Sequence, residues 1–265
     1  MNTFVEAARQ RFFAFLVLLG AGMAGAGVYL RAFDFGGSEL KFVADFGFGG
    51  MFLFGAILAV VLPAQVFFSE MDNRTALPLL ARPVRRWEFL AGKFFGVWVL
   101  LGVFVVLLGC VLGVMLRLRA GELAVAAVET GREAPFLSEW GLVVFCLLQW
   151  LRLGVVAALG VVVCSFARSF LYAVVVTALA ALVCQLRGMG QVAFAREDAA
   201  GWVRVLAGGA GRMVPDLQVF DLGVPLVLQP GGVAWEVVAS AAGHGALYLP
   251  VLLGLGVWFF VDREI

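Results

Sequence analysis

Residues 70–95, EMDNRTALPLLARPVRRWEFLAGKFF, are the longest polar stretch in the first half of the chain. The runs on either side of it, 46–68 and 94–116, are predominantly apolar. A helix needs about 20 apolar residues to cross roughly 30 Å of hydrocarbon. The stretch therefore predicts two membrane-spanning helices joined by an arginine-rich, proline-broken segment outside the bilayer.

The composition extends this prediction to the whole chain. Of the 265 residues, 63% are hydrophobic and 14% charged, whereas soluble domains carry about 25% charged residues. Six apolar runs have spanning length: 12–30, 46–68, 94–116, 140–166, 170–186 and 242–261. A β-barrel would need alternating segments of about ten residues, and these runs do not alternate. We predict an all-α integral membrane protein with six transmembrane helices in a single permease domain, 1–265.

The first run and the cysteines have plain interpretations. The run at 12–30 is followed by Arg31 and Asp34 and not by a small-residue cleavage site, so we predict a retained helix. The cysteines lie inside predicted spans at spacings that no metal site uses, which indicates packing residues. These are Cys110, Cys146, Cys164 and Cys184.

The basic residues indicate orientation, because short cytoplasmic loops carry an excess of lysine and arginine. With the N-terminus inside, the inner segments hold Arg9, Arg11, Arg74, Arg82, Arg85, Arg86, Lys93, Arg168 and Arg263. The outer segments are longer, and acidic residues dilute their basic ones. We predict cytoplasmic N- and C-termini, a cytoplasmic segment at 70–93 and a long outer loop at 187–241.

The polar stretch contains two candidate helix starts. Thr75 can cap a short helix in which Pro78 lies in the first turn. Pro83 disfavours helix at Arg82 and suits the first position of the next helix. We predict a short helix, a break and a new helix along the membrane face, with Lys93 extending its stem towards the headgroups.

Two interpretations of this stretch are open on the residues alone. The plainer one is a positive-inside anchor with an interfacial helix, which any membrane protein can carry. The other is a docking surface, in which arginines and leucines on a bent helix enter an acid-rimmed groove of a soluble partner.

A family resemblance favours the docking surface. The pattern is Glu70-x4-Thr75-x3-Leu79-Leu80-x-Arg82-Pro83-Val84-x-Arg86-x2-Phe89-Leu90-x-Gly92-Lys93-Phe94. It resembles the cytoplasmic signature of type-2 ABC transporter membrane subunits, the permeases of multidrug, polysaccharide, gliding-motility and copper-enzyme-maturation exporters. Arg74, where the family often has glycine, and Pro78 depart from the pattern. Looser resemblances at 161–169, 214–221 and 262–265 extend it in order along the chain.

The resemblance implies partners and residue roles. Such a permease pairs with a separate ATP-binding subunit and with a second permease, identical or related, in the bacterial cytoplasmic (inner) membrane. The segment between spans two and three is then a coupling helix seated on the ATPase. The residues implied in coupling are Glu70, Thr75, Leu79, Leu80, Arg82, Pro83, Arg85 and Arg86. This chain would bind membrane lipids but no cofactor, since ATP and Mg²⁺ belong to the partner.

The chain agrees with that role in what its sequence lacks. A Walker loop requires Gly-x4-Gly-Lys-Ser/Thr, but Trp87 occupies the first glycine position before Gly92-Lys93, and Phe94 follows. We therefore predict that the chain is not an enzyme by itself. The net charge of +1 creates no overall demand for nucleic acid.

Two further residues are candidates for chemistry within the spans. Arg152 lies near the middle of the fourth run, where a charge costs about 2.5 to 3.5 kcal/mol on insertion scales. It is a translocation-path candidate that could contact a polar substrate, or it forms a structural pair. His244, the single histidine, is interpreted as an interfacial ring, because one histidine builds no metal centre by itself.

Two other function classes compete with the permease. An integral membrane enzyme would need paired acids, histidines or a nucleophile at bilayer depth, and the spans offer Arg152 and His244. A secondary transporter usually shows internal repeats and acidic residues within broken helices, and neither pattern is found. The cargo is left open between a lipid, a lipidated chain, a peptide and a mechanical role.

Overall fold

The computed structural model describes residues 39–72, 86–130, 134–194 and 214–261, together with helical positions Leu18, Gly20 and Gly22. Its elements are α1 (Glu39–Asp72), α2 (Arg86–Thr130), α3 (Glu139–Phe166), α4 (Phe170–Phe194), a 3-10 turn (Gln218–Phe220), α5 (Gly223–Leu228) and α6 (Trp235–Val261). Within those ranges the regular structure is entirely helical, which confirms the predicted all-α class.

Five of these helices are long and apolar enough to cross a membrane. The spanning stretches are Glu39–Ser69, Trp87–Val128, Glu139–Phe166, Phe170–Arg187 and Trp235–Phe260. The chain is therefore a multi-pass membrane protein. The predicted run at 12–30 lies outside the described residues except for three helical positions. Six spans and cytoplasmic termini accordingly stay predictions.

The helices extend beyond the apolar runs that located them. α2 contains 45 residues, about 68 Å of helix at 1.5 Å per residue, whereas a bilayer with its headgroups measures about 40–45 Å. Part of the segment predicted as the outer loop, 187–241, is also helical, because α4 continues to Phe194 and α6 begins at Trp235. A helix does not have to end where the hydrocarbon ends, since its backbone bonds are internal.

An ion-pair cluster joins the projecting end of α2 to the start of α1. Arg119 donates from Nη2 to Glu39 at 2.7 Å and from Nη1 to Glu122 at 2.6 Å. The guanidinium is mostly buried although both carboxylates are about half exposed. Two carboxylates on one arginine form a small network, which holds better than an isolated surface pair.

α3 is the central helix, and it contacts α1, α2, α4, α5 and α6. Its middle is fully enclosed at Leu153, Val155 and Val156. We call the end of the bundle where α1 ends and α2 begins the near end. The far end is where α2 ends and α3 begins.

The far end is closed by the segment 214–228, which packs between the helices. Leu217 and Phe220 are fully buried there, and the Ser138 backbone N–H donates to the carbonyl of Val227 at 2.8 Å. A Cβ added to Gly141 would lie 1.9 Å from the carbonyl oxygen of Leu226. α5 can approach α3 this closely only because position 141 has no side chain.

Candidate functional site

Most of the predicted coupling residues lie outside the described residues, namely Thr75, Leu79, Leu80, Arg82, Pro83 and Arg85. Glu70 is helical near the end of α1, and Arg86 is the first residue of α2. The structure therefore places the two helices that flank the predicted coupling segment.

A buried lysine connects these two flanking helices. The Lys93 side chain is 7% exposed, and its Nζ donates to the Val66 carbonyl of α1 at 3.0 Å. The ammonium lies 4.4 Å from the Phe89 ring centroid and 5.0 Å from that of Phe67. The prediction that Lys93 extends to the headgroups is wrong, because a carbonyl and two aromatic faces solvate its charge inside the protein.

The last span also contributes to this contact. Phe260 of α6 lies edge-on to Phe67, with ring centroids 5.9 Å apart, and stacks on Phe89 at 6.1 Å. We call Val66, Phe67, Phe89, Lys93 and Phe260 the Lys93 clamp. The clamp joins α1, α2 and α6 at the near end.

A pair of tryptophans joins α2 to α3 next to the clamp, further along α2 from Lys93. The indoles of Trp98 and Trp150 stack with centroids 4.5 Å apart at an angle of 16°. Each Nε1–H donates to the backbone carbonyl of the other residue, at 3.4 Å from Trp98 and 2.9 Å from Trp150. Both polar tips are therefore satisfied within the bilayer, where an unpaired donor would be costly.

Arg152 lies at the middle of α3, in a polar cluster within the bundle. Its Nη2 donates to Gln185 Oε1 of α4 at 2.8 Å, and its Nη1 to Gln149 Oε1 at 3.5 Å. The guanidinium carbon lies 3.6 Å from the Phe52 ring centroid of α1. Arg152 is 3% exposed and Gln149 is fully buried. The arginine thus connects three helices through neutral partners.

The hydrogen bonding of this polar cluster is incomplete. Among the residues that the structure describes, Arg152 Nε and Gln149 Nε2 have no hydrogen-bond acceptor. An additional acceptor oxygen would therefore find two donors in this cluster.

His244 belongs to the closure of the far end. Its Nε2 accepts from the Asp216 backbone N–H at 3.1 Å, and its ring packs at 4.7 Å on Tyr248. Because Nε2 accepts, the proton of the neutral ring is on Nδ1. The Asp216 carboxylate in turn accepts from the Gln218 N–H at 2.9 Å. Within the described ranges, no three His, Cys, Asp or Glu residues are grouped as metal ligands.

A comparison of the sequence with known protein families identifies a family of membrane transporters, which is consistent with the spanning helices. Residues 4–200 match the family described as ABC-2 family transporter protein, which is about three quarters of the chain. The chain belongs to the ABC-2 transporter family. No curated protein matches it. The resemblance inferred from residues 70–94 is thereby confirmed.

The family sets the coarse function of the chain. ABC-2 permeases are transmembrane components of ABC transporters, are not themselves catalytic, and normally work with an ATP-binding subunit. The transport and membrane functions predicted from the sequence are confirmed at that level.

The partners of the buried polar groups could not be read from the sequence. Lys93 and Val66 are 27 residues apart, and Trp98 and Trp150 are 52 apart. Two glycines beside the tryptophans are a sequence feature that could have indicated the tryptophan contact. Gly102 and Gly154 each lie four residues after a tryptophan, and each leaves space for the tryptophan of the other helix.

Proposed function

We propose that this chain is the permease subunit of an ABC exporter in the bacterial cytoplasmic membrane. It forms part of the translocation path with a second permease, and a separate subunit binds ATP and Mg²⁺. The match of residues 4–200 to the ABC-2 family carries the proposal. The polar segment between α1 and α2 is then the surface that meets the ATPase.

The Lys93 clamp supports this mechanism. A two-state gate shifts from mostly one state to mostly the other with about 5 kcal/mol of differential binding, which the ATP-driven closure of a partner can supply. That energy reaches the spans only if the segment between them is attached stiffly. The clamp attaches both of its flanks to each other and to α6.

The arginines of the segment would supply the docking contacts. Arg82, Arg85 and Arg86, with Leu79 and Leu80, offer positive charge and apolar side chains that suit an acid-rimmed groove. Thr75 caps the short helix in this account, Pro83 sets the bend, and Glu70 completes the set at the end of α1.

Arg152 is the residue that we propose for the translocation path. Its direct partners in the described part of the chain are two amides and an aromatic ring, so no carboxylate neutralises its charge at contact distance. An anionic or polar group of a cargo could replace the Gln185 amide when α4 moves relative to α3.

Co-purification tests the proposed function. The full chain, affinity-tagged, is expressed with the ATP-binding protein encoded beside it and solubilised in mild detergent. We expect a stable complex whose ATP hydrolysis is retained through size exclusion. A permease that purifies without any nucleotide-hydrolysing partner would favour a membrane enzyme or a secondary transporter instead.

A double charge reversal locates the contact within that complex. Arg85→Glu/Arg86→Glu should release the ATPase or uncouple its hydrolysis from transport, because the new charges repel an acidic groove. Glu236→Arg, a charge reversal at an exposed position at the start of α6, is the matched control and should keep the complex. Normal assembly and transport in the double variant would overturn the docking surface.

A further inference from the structure

An apolar groove of about 840 Å³ runs along the outside of α2 and α3. Its long walls are valine and leucine side chains of both helices, among them Val106, Val114, Val143 and Leu147, all of which are well exposed. Its far end holds Ser138, Arg117 and Glu139. The groove is thus apolar over most of its length and charged at one end.

The length of the groove corresponds to one leaflet of a bilayer. On α2 it extends from Gly102 to Arg117, which is about 22 Å along a helix. A whole bilayer with its headgroups is about 40–45 Å thick, so one leaflet is about 20–22 Å. The charged end of the groove then lies at headgroup depth, and the apolar part at the depth of the acyl chains.

The charged end carries both signs in contact. Arg117 Nη2 lies 2.5 Å from Glu139 Oε2, and the two side chains are 61% and 67% exposed. A guanidinium has five N–H donors in a planar fork that suits a phosphate, and this ion pair uses one nitrogen of it. A carboxylate beside it suits an ammonium group.

We propose that this groove binds a zwitterionic, amine-bearing phospholipid, of the phosphatidylethanolamine type, from the leaflet at the far end. The phosphate lies on Arg117, the ammonium on Glu139, and an acyl chain fills the space between α2 and α3. The proposal is independent of the ATPase contact, since it concerns a surface at the opposite end of the bundle.

A transmembrane helix of a second copy is the less suitable occupant. Helices associate in lipid through small residues that allow close backbone approach. The glycines at this groove already face α3, because a Cβ added to Gly102 would lie 3.0 Å from Trp150 Nε1 and one on Gly109 2.6 Å from Cys146 Sγ. The open walls present branched aliphatic side chains, which suit a flexible acyl chain.

Photo-cross-linking tests the occupant directly. The full chain is reconstituted with a phosphatidylethanolamine that carries a diazirine in its acyl chain, and the labelled peptides are identified by mass spectrometry. Labels should concentrate on α2 and α3 in the wild type. Val106→Trp fills the groove and should remove most of this labelling, whereas Val183→Trp, at a similarly exposed valine of α4, should not.

Two charge variants test the headgroup contacts. Arg117→Gln should reduce retention of phosphatidylethanolamine in native mass spectrometry by about two- to five-fold, the range for an exposed charge pair. Glu139→Gln removes the ammonium contact but keeps the phosphate contact, so it should shift preference towards phosphatidylglycerol. Equal retention of phosphatidylethanolamine and phosphatidylglycerol by the wild type and by both variants would overturn the headgroup assignment.

The native thiol of Cys110 detects the competing occupant. Cys110 lines the groove and is exposed, whereas Cys164 and Cys184 are buried. Under mild oxidation in membranes, we expect the wild type to stay monomeric on non-reducing gels. Disulfide-linked dimers that disappear in Cys110→Ser, or diazirine labels spread evenly over all spans, would overturn the lipid site.

Discussion

At the scale of single residues, Lys93 and Arg152 are buried cations that lie in different environments. Lys93 has a carbonyl and aromatic rings, and Arg152 has two amides and a ring. Buried charges persist when the protein supplies such partners. The contacts of Lys93 join helices near one end of the bundle, and the contacts of Arg152 join helices near its middle.

Replacing Lys93 should loosen the near end locally. Lys93→Met keeps the volume of the side chain but removes the donor to the Val66 carbonyl and the cation over two rings. A hydrogen bond from a charged donor contributes about 1.5 kcal/mol or more, so amide exchange in 66–72 and 89–93 should accelerate roughly ten-fold.

Hydrogen exchange measured by mass spectrometry checks this, with Arg168→Gln as the control. That variant removes an exposed cation from the turn between α3 and α4 and should leave exchange in 66–72 unchanged. Identical exchange in Lys93→Met and the wild type would show that the clamp does not hold the two helices together.

Replacing Arg152 should separate the role of its charge from that of its contacts. Arg152→Gln can still bond to Gln185 but carries no cation, so the melting temperature should change little while function is lost. The measurement is rescue of a strain that lacks the chain, with membrane levels checked by immunoblot. Full rescue would remove Arg152 from the translocation path.

Thr177→Val is the matched control for that experiment. Thr177 is a buried polar residue of α4 whose hydroxyl bonds to the Ala173 carbonyl of the same helix at 2.7 Å. Loss of the hydroxyl should not affect rescue, because its hydrogen bond lies within α4 and Val keeps the methyl packing.

The sequence could locate these cations but not their partners. Arg152 stands out because a charge within an apolar run is rare. Lys93 lies at a run's edge, where snorkelling is the general expectation. Its inward direction depends on Val66 and Phe260, which are distant in the chain and become neighbours only through the packing of three helices.

At the scale of elements, α2 and α3 interlock through tryptophans that fill the spaces left by glycines. A Cβ added to Gly154 would lie 2.6 Å from Trp98 Nε1. The indole cannot move aside without leaving its stack on Trp150. Gly154→Ala should therefore destabilise the protein by about 1–3 kcal/mol, the usual cost of overpacking.

Thermal unfolding in detergent checks this prediction against Gly254→Ala. A Cβ at Gly254 of α6 would meet nothing within 4 Å, so alanine there should be neutral or slightly stabilising through its helix propensity. Equal melting temperatures for the two variants would mean that the tryptophan pair tolerates displacement.

Hydrophobicity predicted where the described spanning helices lie, but it did not predict how far they extend beyond the apolar runs. The apolar run at 94–116 marks the part of α2 that matches the hydrocarbon, but α2 continues to Thr130. Arg119 lies in this extension, and its partner Glu39 comes from another helix. The closure of the far end by 214–228 likewise depends on packing, which hydrophobicity does not reveal.

At the scale of the whole molecule, the described helices form one bundle with different contacts at its two ends. The near end carries the Lys93 clamp and both flanks of the 73–85 segment. The far end is closed by buried Leu217 and Phe220 and carries the charged end of the lipid groove. The family resemblance was readable from the order of residues in 70–94, whereas the contacts of Lys93 and Arg152 depend on how distant helices pack.

The docking of the 73–85 segment is tested by a photo-cross-linking amino acid at Arg85, in cells that also express the ATP-binding subunit. If the segment docks there, an adduct between the two proteins forms at position 85 and none forms at Val183, which is exposed on α4. Adducts with lipid alone at position 85, or labelling of a cysteine there from outside intact cells, would contradict it.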